Sequence, residues 1–107
     1  MCKPFPPKAV LWELDIEQEY SRLKDNDPLK IAIRKGRDIL TRNMYAGAQI
    51  PKRQIPKYYV RKNGVNNLYV LRLDDVKRLC YMLTEGNVGV KEIFLDHKSY
   101  NRRFGYK

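Results

Sequence analysis

Apolar residues in the first half of the chain recur every three to four positions, which is the spacing of amphipathic helices. One such pattern runs from Trp12 to Leu23, and the acidic residues near its start suit the helix dipole. The stretch KAVLWEL, residues 8–14, fits either the start of this helix or a separate short strand. A first helix is therefore predicted, and its start is left open.

A second helical pattern follows the first. Asp27 is placed to cap this helix, Pro28 suits its first position, and Gly47 is a residue type that ends helices. One apolar stripe runs along it as far as Leu40. The two patterns predict a helical hairpin over about residues 11–46, with its apolar stripes in the core.

From Asn66 onward apolar and polar positions alternate, which is the period of a β-strand. The stretches NNLYVLRL, VKRLCYML and VGVKEIFLD are separated by the turn sequences Asp74-Asp75 and TEGN. Consecutive strands with short turns form an antiparallel meander, predicted here over residues 66–96. One face of this sheet must be covered, and the helical hairpin can cover it. The predicted fold class is α+β, a single domain with an N-terminal helical hairpin on a small antiparallel sheet.

The segment between the hairpin and the meander, residues 47–65, contains Pro51 and Pro56. Neither a long helix nor a central strand tolerates both, so we predict a loop or an extended edge segment. Its mixture of basic and aromatic residues suits RNA, because cations meet phosphates while rings stack on bases. Edge strands also carry lysine and proline to block aggregation, so both interpretations stay open. The residues concerned are Lys52, Arg53, Lys57, Tyr58, Tyr59, Arg61 and Lys62.

The charge of the chain changes this picture, because 107 residues carry a net charge of +10. Residues 1–50 hold nine Lys and Arg against seven Asp and Glu, whereas residues 51–107 hold 13 against five. Such an excess indicates nucleic acid, an acidic protein or an anionic membrane surface as a partner. A membrane surface would call for a basic amphipathic helix, and these cations lie mainly in the predicted loop and sheet. A basic surface kept only for solubility is the alternative.

Composition also disfavours several classes of protein. No apolar run approaches the length of a membrane span, and the N-terminal stretch lacks the apolar core of a signal peptide, so a cytoplasmic protein is predicted. The two cysteines, Cys2 and Cys80, cannot form a metal-binding quartet. Cys80 is expected to be a small buried thiol rather than half of a disulfide. We expect no metal and no other cofactor.

Two arginines beside the first turn of the meander form a candidate site. If the turn at Asp74-Asp75 has three loop residues, Arg72 faces Arg78; a loop one residue shorter would place them on opposite faces. Like charges in a cross-strand pair are destabilising, and such a pair is sensible when two guanidiniums share a phosphate. Two surface arginines without a common ligand are the alternative.

The chain ends in LDHKSYNRRFGYK, with its only histidine, two tyrosines and two adjacent arginines. Aromatic side chains are not expected in a terminal segment that makes no contacts. This polar tail, residues 97–107, is therefore predicted to be a docking segment or part of a site.

The order of two helices, a basic loop, a meander and a polar tail resembles the RelE/ParE superfamily of type II toxin–antitoxin systems, especially its archaeal-type RelE-like members. The matching stretches are IPKRQIPKYYVRKNGVNNLYVLRL, KRLCYML and LDHKSYNRRFGY, which cover nearly all of residues 50–106. The resemblance implies a RelE-like microbial RNase fold. It further implies cleavage of mRNA in the ribosomal A site, without a metal, through attack of the ribose 2′-hydroxyl on the adjacent phosphate.

The resemblance also implies catalytic roles for four residues. Arg78 matches the arginine of the family's R-L-x-Y strand, which contacts the scissile phosphate, and Arg72 matches a basic position of the preceding strand. His97 lies where relatives have a histidine or a basic residue, and histidine exchanges protons near neutral pH. Tyr100 or Tyr106 matches the tyrosine that stacks on a base.

Further residues are predicted to bind RNA around this centre, with Lys52 and Lys57 as alternative cations reaching across an open face of the sheet. Two departures from the family pattern stand out. Val70 occupies the second basic position of its strand, and no carboxylate is clearly placed as a general base. The predicted RNA-binding set is Lys52, Arg53, Lys57, Arg61, Lys98, Arg102, Arg103 and Tyr106.

The partners implied by the resemblance are the ribosome, mRNA and a cognate acidic antitoxin similar to RelB, with no membrane partner. The alternative function is a non-catalytic binder of the same fold, either a ParE-like gyrase inhibitor or an RNA-binding module. ParE-like members lack the cluster of catalytic basic and tyrosine residues, much of which this chain retains. The endoribonuclease is therefore the favoured prediction.

Overall fold

A computed structural model describes residues 5–105 of the chain, so that Cys2 and Tyr106 lie outside the described residues. Its first element is strand β1 (Val10–Trp12), which pairs in parallel with a strand near the end of the chain. The stretch KAVLWEL therefore holds a strand, and the first helix begins only after it.

The predicted helical hairpin is present, in shorter form, as helices α1 (Leu14–Arg22) and α2 (Pro28–Arg42). Asp27 caps α2, because its carboxylate accepts a hydrogen bond of 2.9 Å from the backbone N–H of Leu29. The predicted stop at Gly47 is wrong, since α2 ends five residues earlier. A Cβ at Gly47 would lie only 2.8 Å from the carbonyl oxygen of Val70, so this glycine permits a close approach to the sheet.

The segment at residues 47–65 is only partly the loop or extended segment that was predicted. It contains the edge strand β2 (Ala48–Gln49), a 3-10 turn (Lys52–Gln54) and helix α3 (Lys57–Asn63). Pro56 precedes the first turn of α3, where proline removes no helical hydrogen bond, and Gly64 ends the helix with a left-handed φ of 63°. Two prolines exclude a long helix here but not a short one.

The predicted antiparallel meander is confirmed as strands β3 (Tyr69–Arg72), β4 (Arg78–Thr84) and β5 (Asn87–Phe94). The five strands lie in the order β1-β5-β4-β3-β2, and the sheet is mixed because β1 runs parallel to β5. The α+β class is therefore confirmed, but a purely antiparallel sheet is not.

One face of the sheet packs on α1 and α2, as predicted. Leu71, Leu79 and Tyr81 point to this face from the central strands, and Leu40 meets them from α2. These buried side chains form the first core.

The opposite face is covered as well, so the prediction of an open face is wrong. A second core forms there around Val70, Cys80 and Phe94; Val70 pairs with Cys80, and Phe94 lies two residues beyond the β5 partner of Cys80. Its cover consists of α3, through the buried Tyr59, and of the tail. Cys80 is fully buried and free of any disulfide, as expected.

The predicted polar tail is a helix, α4 (His97–Phe104). Asp96 caps it by accepting a hydrogen bond of 2.7 Å from the backbone N–H of Ser99, and Gly105 ends it in the left-handed region. Tyr100 and Phe104, one turn apart, pack against the second core. Among residues 5–105, no helix is long and apolar enough to cross a membrane.

Candidate functional site

The four predicted catalytic residues come from one end of the sheet, where β3 ends, β4 begins and β5 leads into α4. Arg72 is the last residue of β3 and Arg78 the first of β4, and the two are cross-strand partners. The backbone N–H of Leu73 donates to the carbonyl oxygen of Lys77 at 2.9 Å, which leaves three residues in the turn. Of the two registers that the sequence left open, the structure has the one that pairs Arg72 with Arg78 across the strands.

The turn that sets this register is held by Asp74. Its carboxylate accepts hydrogen bonds from the backbone N–H groups of Lys77, at 2.7 Å, and Val76, at 2.8 Å. These bonds, with the nearby Lys77 ammonium, lower the pKa of Asp74 to about 2. The carboxylate is thus charged, and it pairs with Lys77 rather than with the two arginines.

Arg78 links the sheet to the helical tail. One nitrogen of its guanidinium lies 3.3 Å from Nδ1 of His97, and its central carbon lies 4.8 Å from the centre of the Tyr100 ring. Arginine can only donate, so Nδ1 of His97 is the acceptor in this contact. The Nε2 atom of the imidazole then carries the proton when the ring is neutral.

Aromatic neighbours fix the ring of Tyr100 within this cluster. It packs edge-on against Phe94, with 5.4 Å between ring centres, and stacks on Phe104 at 4.6 Å. Phe94 is also the cross-strand partner of Arg78 on β5, so the second core supports the cluster directly. The role of Tyr100 in stacking on a base stays a prediction.

The charge of the cluster is not balanced within the part of the chain that the structure describes. None of the ion pairs among residues 5–105 involves Arg72 or Arg78. The nearby Asp96 is engaged in capping α4, and the hydrogen bonds from Ser99 lower its pKa. Two cross-strand arginines that appear in none of these ion pairs have the charge to bind an anion.

Most of the predicted RNA-binding residues lie in the layer that covers the second core. They are exposed on the 3-10 turn, on α3 and on α4, and Tyr106 lies outside the described residues. This basic layer adjoins the arginine pair through α4. Its exposed cations are Lys52, Arg53, Lys57, Arg61, Lys98 and Arg102.

Arg103 differs from the other predicted RNA-binding residues, because it has a partner inside the protein. Its guanidinium binds both carboxylate oxygens of Glu92, at 2.9 and 3.3 Å, and stacks 3.6 Å from the centre of the Tyr58 ring. Glu92 was not among the predicted site residues. A carboxylate at a position of β5 that shares a face with the apolar Phe94 was the available signal.

A buried polar network continues from Glu92 into the second core. Tyr59 donates its hydroxyl proton to Glu92, and the thiol of Cys80 contacts the Tyr59 oxygen at 3.2 Å. Burial raises the pKa of Tyr59 above its ordinary value and that of Cys80 to about 12. Both groups are therefore neutral at physiological pH, and the network holds α3, β4 and β5 together.

The described side chains include no group of three or more His, Cys, Asp and Glu arranged to hold a metal ion. The chain matches no family model, and no curated protein or solved structure is significantly similar to it.

Proposed function

We propose that this chain is the toxin of a type II toxin–antitoxin system, with a RelE-like fold, that cleaves mRNA on the ribosome by metal-independent transphosphorylation. One observation carries the proposal: Arg72, Arg78, His97 and Tyr100 come from three elements, β3, β4 and α4, that meet at one end of the sheet. The resemblance in sequence implies catalytic roles for the same four residues.

The chemistry begins with a phosphate of RNA bound between Arg72 and Arg78, whose guanidiniums suit two of its oxygens. The contact between Arg78 and Nδ1 of His97 at 3.3 Å competes with this binding. Once Arg78 turns to the phosphate, the lone pair on Nδ1 is free to accept a proton. His97 is then the general base for the ribose 2′-hydroxyl.

The 2′-oxygen forms a bond to phosphorus while the bond from phosphorus to the 5′-oxygen breaks. The products are a 2′,3′-cyclic phosphate and a 5′-hydroxyl. The 2′-hydroxyl proton goes to His97, and the leaving 5′-oxygen takes a proton from water, because the two oxygens lie on opposite sides of phosphorus; His97 later returns its proton to solvent. Arg72 and Arg78 stabilise the extra negative charge of the five-coordinate phosphorus, which is the largest electrostatic demand of the reaction.

The basic layer supplies the binding energy for the rest of the RNA. Its cations replace counterions along the phosphate backbone, so binding should weaken steeply with salt. The same surface fits the acidic antitoxin proposed as a partner, because charge attraction speeds the encounter of two such surfaces.

Primer extension on ribosomes tests the proposal. The purified protein is added to translating ribosomes that carry a defined mRNA, and the same mRNA without ribosomes serves as the control. We expect cuts in phase with codons on the ribosome and few or none on naked mRNA. Uncut mRNA in both settings would overturn the proposed activity.

A non-catalytic binder of the same fold is the second candidate, either a ParE-like gyrase inhibitor or an RNA-binding module. One observation favours it: Val70 is buried in the second core, at a position where the resemblance implies a cation. Binding of RNA or gyrase without any cleavage would support this candidate.

A further inference from the structure

Helix α4 carries two of the four site residues but holds its place only through contacts with the rest of the protein. It has eight residues, none of them fully buried. Isolated helices of this length are marginal in water, because few hydrogen bonds offset the cost of nucleation. The position of His97 and Tyr100 therefore depends on what fixes α4 to the sheet.

Arg103 makes the strongest polar contact between α4 and the sheet. Its two hydrogen bonds to Glu92 are bidentate, which fixes direction as well as distance. Glu92 is itself fixed, since it lies on β5 as the cross-strand partner of Cys80 and accepts a hydrogen bond from Tyr59. The guanidinium is thus held between a rigid carboxylate and the ring of Tyr58.

Because of the spacing of residues on α4, a contact that fixes Arg103 also fixes the position of the site residues on the same helix. Tyr100 lies three residues before Arg103, on the same side of the helix, and His97 lies one turn further back. A shift of α4 by about 1 Å away from the sheet would take Nδ1 of His97 beyond hydrogen-bond distance of the Arg78 guanidinium, from which it lies 3.3 Å in the structure.

We propose that Arg103 is a positioning residue: by binding Glu92, it seats α4 so that His97 and Tyr100 meet Arg78. Its effect on catalysis rests on the proposed function, whereas its effect on geometry does not. This assignment replaces the role in RNA binding that the sequence suggested for Arg103.

The adjacent Arg102 provides a matched control. It has the same charge and lies on the same helix, but it is exposed and appears in none of the ion pairs among residues 5–105. The variants to compare are Arg103→Ala, Arg103→Lys, Glu92→Gln and Arg102→Ala.

NMR spectroscopy of the single histidine gives the geometric readout, because each ring proton of His97 yields one signal. In the wild-type protein we expect a nuclear Overhauser contact between the His97 ring and the Arg78 side chain. Arg103→Ala and Glu92→Gln should abolish it, Arg103→Lys should weaken it, and Arg102→Ala should leave it intact. Far-UV circular dichroism establishes that each variant is folded.

A double variant, Glu92→Gln with Arg103→Ala, tests whether the two residues act as a pair. If they do, its His97 chemical shifts should match those of Arg103→Ala alone rather than change by the sum of both effects. In the cleavage assay, Arg103→Ala should lower the rate by about 100-fold, the cost of a misplacement of about 1 Å, while RNA affinity changes less than twofold.

A His97–Arg78 contact that survives in folded Arg103→Ala would overturn the proposal, whatever happens to cleavage. A loss of RNA affinity with an unchanged contact would overturn it too, and would return Arg103 to RNA binding. If the contact is lost but the wild-type protein cuts no RNA, the positioning role stands and the proposed function fails.

Discussion

The facing pair of Arg72 and Arg78 predicts that anions stabilise this protein and that one substitution removes the effect. Cross-strand partners hold their Cβ atoms about 5 Å apart, so the two side chains can bring their guanidiniums to roughly 6 Å, the spacing that a shared phosphate requires. In water at that distance two like charges repel by about 0.7 kcal/mol at low salt. Arg72→Gln should therefore stabilise the free protein by up to that amount, less at physiological ionic strength because of screening.

A bound phosphate should reverse the order of stability. If inorganic phosphate binds the pair with a dissociation constant of about 1 mM, 10 mM phosphate stabilises the folded state by about 1.4 kcal/mol. For a domain of this size the gain corresponds to an increase in Tm of roughly 6 °C. Arg72→Gln should lose most of this increase, since one guanidinium remains.

Thermal unfolding followed by circular dichroism measures both effects. The buffers contain either 10 mM phosphate or sodium chloride of equal ionic strength, so that screening is constant. Lys35→Ala, which removes an exposed cation from α2, is the control and should respond to phosphate as the wild-type protein does. An equal rise in Tm for wild type and Arg72→Gln, or no rise in wild type, would refute the idea of an anion site between the arginines.

Two further predictions concern the same end of the sheet. His97→Gln should abolish cleavage while RNA binding and Tm stay nearly unchanged, as gel-shift and unfolding assays can check; equal loss of binding would mark His97 as a contact residue instead of a base. Asp74 has a pKa lowered to about 2, so its contribution to stability is complete above its ordinary pKa near 4 and is lost as the pH falls through about 2. Acid unfolding of Asp74→Asn should accordingly show a smaller loss of stability between pH 4 and 2 than wild type, and an identical acid profile would contradict this account of the turn.

The parts of the fold that follow from local chemistry were predictable from the sequence. Asp27 and Pro28 mark the start of α2 because a cap and a first-turn proline act within a few residues. The sequence narrowed the register of Arg72 and Arg78 to two alternatives, and the hydrogen bonds of the Asp74 turn, which choose between them, were not visible in it.

The parts that depend on distant contacts were not predictable. The sequence of β5 alternates only from Val88 to Val90, after which a bulge shifts the register, so that Tyr81 pairs with Val90 while Cys80 pairs with Glu92. Val90 therefore joins the first core and Phe94 the second. Which core each of these residues joins therefore depends on the bulge and on the elements that cover the two faces of the sheet.

Helix α4 shows how the candidate site was only half visible in the sequence. Its histidine, tyrosines and arginines indicated a functional site. The cap at Asp96 and the aromatic residues one turn apart also indicated a helix, but the polar composition of the segment made this signal hard to recognise. The pairing of Arg103 with Glu92 could not be read from the sequence, since it depends on how α4 docks on the second core.

The rate of RNA cleavage by wild type and by Arg78→Ala tests the central claim most directly. Both proteins are incubated with programmed ribosomes, and the fragment ends are analysed for 2′,3′-cyclic phosphate and 5′-hydroxyl groups. The loss of one cation that stabilises the transition state should slow cleavage about 100- to 1,000-fold, with Tm almost unchanged. Cleavage by folded Arg78→Ala at the wild-type rate, or fragments that end in 5′-phosphate, would contradict the account.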